Sequence, residues 1–215
     1  GLRISEAPIM QHELGHALFG FGHENSYRCM DSSFRSDFRQ CVETEYNNIY
    51  SSMGSTPLQG LKGHFTAYYK GLAQWGSHSS LHGDTVFEMD ALETNSSGIK
   101  GAEIPFRNER VCIEYRKPLL SDAPLVNYGI PPNGCLLVTL CRPGYMSDSY
   151  TFDQTALIDT LPTFQDSTPA EEMIDSCLGE GRVFSNTDLG ITSLSFTPLP
   201  NDRARVNINV DEAKL

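Results

Sequence analysis

The 215-residue chain lacks any run close to the roughly 18 consecutive apolar residues that a membrane-spanning helix needs. Its densest apolar stretch, Cys135–Cys141, has only strand length. No membrane span is therefore expected. Basic residues are also scarce: 16 Lys and Arg stand against 27 Asp and Glu, a net charge of −11. That argues against nucleic acid as a partner, since phosphates need a basic face to neutralise them, and against adsorption onto anionic lipid. The opening residues GLRISEAPIM hold no apolar signal core, so any targeting segment was removed or lies outside this sequence. No two cysteines have the close spacing of a zinc knuckle; even Cys135 and Cys141 stand too far apart.

What is present fits a globular protein with a real core, 39% of its residues being hydrophobic. The cysteines, at 29, 41, 112, 135, 141 and 177, are even in number and read as disulfides of an oxidising compartment. Reduced, buried cysteines of a cytosolic protein are the alternative. Cys29 and Cys41 close a short loop and are expected to pair. Cys112, Cys135, Cys141 and Cys177 then pair among themselves in an order left open. Asn95-Ser96-Ser97 is an acceptor triplet for N-glycosylation, in a loop-like setting. Together these features point to a secreted, extracellular or cell-surface protein.

The patterning changes near residue 80. Before it, helical steps dominate. Ile9, Glu13, His16 and Gly20 follow a helix whose N-cap is Ser5 and whose first turn tolerates Pro8. Leu61, Phe65, Tyr68 (or Tyr69), Leu72 and Trp75 form one apolar stripe, predicting a second helix that Gly76 ends. After Ser80 the period becomes two: Val111, Ile113 and Tyr115 alternate with Cys112, Glu114 and Arg116, and Val206, Ile208 and Val210 alternate with asparagines. Val86-Phe87, Leu136–Leu140, Val183-Phe184 and Ile191–Phe196 add further short strands. The stretch Arg142–Gly181 reads as irregular, with at most a short helix around Ala170–Asp175. The fold class is therefore α+β: a helical portion over 1–80 and an antiparallel β-sandwich over 81–215.

The chemistry lies in His12-Glu13-Leu14-Gly15-His16. Histidines four residues apart stand one above the other on a helix, so both can reach one zinc ion at about 2.1 Å. Glu13 projects beside the metal without ligating it, placed to take a proton from water and pass it to a leaving amine. His23 is the candidate third ligand, with Gly20 and Gly22 permitting the turn that returns it. A plain solvated helix face is the competing reading. Leu14, Ala17, Leu18 and Phe19 argue against it, because on a core-type helix unpaired polar groups are costly. Glu24 reads as a solvated turn residue in preference to a fourth ligand, and His64, His78 and His82 as surface or helix-end residues.

His12-Glu13-x-x-His16 followed by Gly20 and His23 resembles the zinc motif of metzincin metallopeptidases, with one residue more between His16 and Gly20 than that motif has. Tyr50-Ser51-Ser52-Met53-Gly54-Ser55 is similar to the methionine turn of that group, in particular of gametolysin-like peptidases, and Phe65–Gly76 to the helix that follows it. The strand Cys112–Arg116, the residues 157–162 and the closing strand are similar to the β-rich tail of gametolysin-like and immune-inhibitor-like peptidases. The resemblance implies the carboxyl-terminal part of a metzincin-type catalytic domain joined to the sandwich. It implies Zn2+ held by His12, His16 and His23 above Met53, and Glu13 as general base and acid. Protein or glycoprotein substrates of cell wall or matrix would be the target. In such families a sheet and a helix precede the zinc helix. Only eleven residues precede His12, so an upstream portion of the same protein is expected. The rival readings are a structural or adhesive extracellular protein that keeps the metzincin shell and, behind it, a glycan-binding sandwich.

Overall fold

A computed structural model describes residues 7–28, 41–54, 63–147, 150–161 and 173–214. Helix α1 (Ala7–Phe19) runs into β1 (Phe21–Arg28), and β2 (Val42–Thr44) and α2 (Ala67–Leu72) follow. Nine strands come next: β3 (Ser77–Ser80), β4 (Thr85–Asp90), β5 (Ile99–Phe106), β6 (Glu109–Arg116), β7 (Cys135–Ser147), β8 (Tyr150–Ile158), β9 (Phe184–Asn186), β10 (Ile191–Leu199) and β11 (Arg203–Val210). They form a seven-stranded sheet, ordered β2-β1-β8-β7-β6-β5-β3, and a four-stranded sheet, ordered β4-β11-β10-β9. The fold is α+β and rich in sheet.

The period-two pattern of β6 explains how the layers stack. Val111, Ile113 and Tyr115 share one apolar cluster with Leu194 and Phe196 of β10 and Val206 and Ile208 of β11, so the two sheets pack face to face. The alternate residues turn the other way. Cys112 joins Phe21, Met53, Phe65, Tyr68 and Tyr69, and Arg116 donates to the Tyr50 carbonyl at 2.8 Å. The large sheet is thus covered on both faces, by the small sheet and by the layer that carries α2 and residues 49–54.

Several expectations need correction. The small sheet is antiparallel throughout, but the large one is mixed: β1 runs parallel to β8 and β3 parallel to β5. Strands β1 and β3, from the part before residue 80, are therefore hydrogen-bonded into the same sheet as strands after it. The second helix is shorter than its apolar stripe, because 63–66 are not helical and the chain turns through Gln74 in the left-handed region. Of the stripe, Phe65 and Tyr68 are buried in one cluster, Leu72 and Trp75 are 46% and 50% exposed, and Leu61 lies outside the described residues. The first part of the stretch after Arg142 is not irregular; residues 162–172 of it lie outside the described residues. That first part continues β7 and returns as β8, where the consecutive polar residues Asp153, Gln154 and Thr155 break any apolar alternation. Met173–Asp175 forms a 3-10 turn.

Disulfides join Cys112 to Cys141 and Cys135 to Cys177, with Cα atoms 6.2 and 5.7 Å apart. Cys41 is also disulfide-bonded; Cys29, its expected partner, lies outside the described residues, as does the expected N-cap Ser5. Asn95 is exposed between β4 and β5, where an acceptor asparagine is accessible. Among the described residues no helix is long and apolar enough to cross a membrane. Disulfides and the lack of such a helix are both compatible with secretion.

Candidate metal centre

Helix α1 ends because Gly20 takes φ +65°, its N–H returning to the His16 carbonyl at 3.1 Å. A side chain there would be strained in the left-handed region. The chain then enters β1 directly, which brings His23 back beside the helix. Gly22 serves a different purpose from the expected turn. It lies in β1, where any Cβ would run into the Phe152 ring and the Asp153 carbonyl, so it permits the close approach of β1 to β8.

The three histidines meet. Their ligand atoms all lie within 4.8 Å of one another, and among the described residues they are the one group of His, Cys, Asp and Glu side chains placed to hold a metal ion. Each ring is fixed from behind. His12 Nδ1 donates to the Ser52 carbonyl at 2.9 Å, His16 Nδ1 to the Phe21 carbonyl at 2.5 Å, and His23 Nδ1 to Glu45 Oε1 at 2.8 Å. Backbone carbonyls only accept, so in the neutral rings of His12 and His16 the proton resides on Nδ1. Their Nε2 lone pairs then face each other across 3.1 Å. Two such lone pairs repel unless a cation lies between them. The separation suits one: ligands at about 2.05 Å from a tetrahedral zinc ion stand about 3.3 Å apart. The donor set fits zinc, and the carbonyl and carboxylate partners are those that orient metal-binding imidazoles.

Met53 is fully buried beneath α1, its sulfur so close to Gly15 that a Cβ there would clash. Its loop ties together the two elements that bear the histidines. The Ser52 carbonyl holds His12, and the Met53 carbonyl accepts from the Glu24 N–H at 3.0 Å, next to His23. Arg116, with no exposed surface, anchors this loop from the large sheet through the Tyr50 carbonyl and pairs with Asp122 at 2.6 Å and Glu114 at 2.9 Å. Glu13 is exposed on the helix beside His12.

Sequence reasoning misjudged four surroundings. Glu24 is not solvated. It is fully buried in β1, where it accepts from Thr66 Oγ1 at 2.7 Å and Asn48 Nδ2 at 3.3 Å, and burial pushes its carboxyl up to about 7. His64 and His78 are half-buried, His78 against Gly71 and Gly101; His82 is exposed as expected. Helix α1 is not a core helix, since Met10, Leu14 and Leu18 are 43%, 46% and 66% exposed. They line an apolar groove of about 440 Å³ with Phe65 and Trp75. The convergence of lone pairs, and not apolar burial of the helix, is what marks the site.

Tyr46, Glu45 and Arg116 were not singled out from sequence. Their signal is tertiary: no periodicity or spacing links residues 45, 46 and 116 to the histidine motif. Tyr46 takes φ +58° and tilts its ring over His23, centroids 3.8 Å apart. Partial burial first, then the Glu45 and Glu13 carboxylates, raise its phenol above the ordinary value.

No family model, no curated protein and no solved structure matches the chain. The metzincin resemblance therefore rests on its residues.

Proposed function

We propose that the chain is part of a secreted zinc endopeptidase of the metzincin type, similar to gametolysin-like peptidases, hydrolysing peptide bonds of extracellular, cell-wall or matrix glycoproteins. The observation that carries this reading is the convergence of the His12, His16 and His23 ring nitrogens, with each Nδ1 committed to an oxygen behind it. Such a donor set favours Zn2+ and leaves a fourth position open, the arrangement of a catalytic and not a structural site. Zinc, when bound there, supplies Lewis-acid polarisation of a scissile carbonyl and acidifies water.

The chain's own residues supply the rest. Glu13 projects from the helix position after His12 and is solvent-accessible, so it can accept a proton from the attacking water and donate one to the departing amine. The loop through Ser52 and Met53 and the Glu45 carboxylate hold the imidazoles in one tautomer and one orientation. The disulfides and the acceptor Asn95 support an extracellular setting.

Glu13→Gln tests this function on the purified, zinc-loaded protein together with its upstream portion. Zinc content should be unchanged, while hydrolysis of protein substrates should fall by about 10²–10⁴-fold, the usual contribution of general acid–base catalysis. Equal hydrolysis by both proteins would remove Glu13 from the role. A zinc-loaded wild type without hydrolysis would favour a non-catalytic, adhesive or structural protein.

A further inference from the structure

Tyr46 stands at the metal centre, yet the proposed reaction gives it no task. Its backbone is in the left-handed region at φ +58°, which is strained for a non-glycine residue and persists only where the surroundings impose it. They do so here. The Tyr46 N–H donates to Asn25 Oδ1 at 3.3 Å, and Asn25 Nδ2 donates to Glu43 at 2.7 Å. The preceding residue, Glu45, accepts from His23. Both anchors lie on β1, on either side of Glu24, so the strand that delivers the third histidine also fixes Tyr46.

The ring lies 3.8 Å from that of His23 and 6.0 Å from that of His12, tilted 37° and 31° to them. It is 37% exposed and lies within electrostatic reach of Glu13. Covering His23 would need only an aromatic ring. The hydroxyl calls for a separate account, because among the described residues it has no hydrogen-bond partner. Tyr27, Tyr50, Tyr69 and Tyr115, by contrast, each donate to an acceptor. Tyr46 thus brings an uncommitted, partly exposed donor to the edge of the histidine cluster, within electrostatic reach of Glu13.

We propose that the Tyr46 hydroxyl donates a hydrogen bond to the anionic oxygen of a ligand seated at the three-histidine centre, which makes it a catalytic residue that stabilises the oxyanion formed on the scissile carbonyl. The proton stays on the phenol; no bond to it is made or broken. The proposal rests on the peptidase reading for its reaction, but the hydrogen bond itself can be read without turnover.

The experiment uses cobalt-substituted protein and acetohydroxamate, an anionic oxygen ligand, with binding followed by visible absorption. Tyr46→Phe keeps the ring over His23 and removes only the donor. It should take up cobalt as the wild type does and bind acetohydroxamate at least about tenfold more weakly, as expected for loss of a hydrogen bond to a charged group. Equal affinity would overturn the proposal. So would reduced cobalt uptake by Tyr46→Phe, which would make the residue a support of His23, and so would absence of acetohydroxamate binding in the wild type. A wild type that binds cobalt and acetohydroxamate but hydrolyses no peptide would count against the peptidase reading alone.

Discussion

His12 Nε2 and His16 Nε2 stand 3.1 Å apart although each ring already donates its Nδ1 proton to a backbone carbonyl. One neutral imidazole cannot donate twice, so this approach calls for a bound cation or a proton that charges one ring. A zinc ion, as proposed, would satisfy both rings and His23 at once. His16→Ala and His23→Ala are therefore expected to weaken zinc binding alike, each by more than the 10–100-fold that follows loss of an outer hydrogen-bond partner. Competition with a chromophoric chelator measures this. Full zinc retention by the His23 variant would exclude it as third ligand.

Glu45 gives a graded version of the same test. Its carboxylate accepts from His23 Nδ1, but its side chain is 64% exposed, so water can partly replace it. Glu45→Gln should lower zinc affinity by about tenfold, the low end for an orienting partner. A loss as large as that of His23→Ala would mean that the carboxylate ligates directly.

The disulfide between Cys135 and Cys177 closes a separation of 42 residues and joins β7 to the segment after the 3-10 turn at Met173–Asp175. In the chain-entropy account a loop of that length is worth about 4 kcal/mol. Replacing both cysteines by serine should lower the unfolding free energy by about that amount in urea titration under non-reducing conditions. An unchanged midpoint would show that the denatured state is compact there without the crosslink.

The extent to which sequence foretold this structure depends on how local each signal is. The meeting of the three histidines was legible because i, i+4 spacing and a glycine turn are properties of one short segment. So were β6, β10 and β11, each with one apolar face. The parallel pairing of β1 with β8 was not legible, since more than a hundred residues separate Asn25 from Ala156, its partner. Strand β8 was hidden by its own polar residues, of which Gln154 and Thr155 are buried. Glu24 was misread for the same reason, because only the fold places Thr66 and Asn48 around it.

Arg116 links the large sheet to the loop beneath the histidine cluster. It is fully buried with Asp122 and Glu114 and holds the Tyr50 carbonyl. Arg116→Ala would leave two buried carboxylates without their cation, and loss of one partner of a buried pair costs about 3–5 kcal/mol. Thermal unfolding should show the loss. Because the same loop positions the Ser52 carbonyl, zinc affinity should fall with it, even below the unfolding temperature. Wild-type zinc affinity in a folded Arg116→Ala protein would separate the loop's anchor from the ligand it supports.

His64 supplies a pH dependence whose sign is fixed. Burial first, and then the Lys70 charge, hold its imidazole down to about 4, below the 6.5 of a free histidine. Between those values an unfolded chain takes up a proton at this position that the folded chain refuses, so stability falls as pH drops from about 6.5 toward 4. Above that window the residue has no effect on the balance. The His64 side chain is partly exposed, so the measured loss will be smaller than the full shift would imply. His64→Gln cannot titrate, and its Tm should decline less than that of the wild type between pH 7 and pH 5. Other groups contribute equally to both proteins and cancel in the difference. Parallel Tm profiles would mean that His64 is as free to protonate in the folded protein as in the unfolded chain.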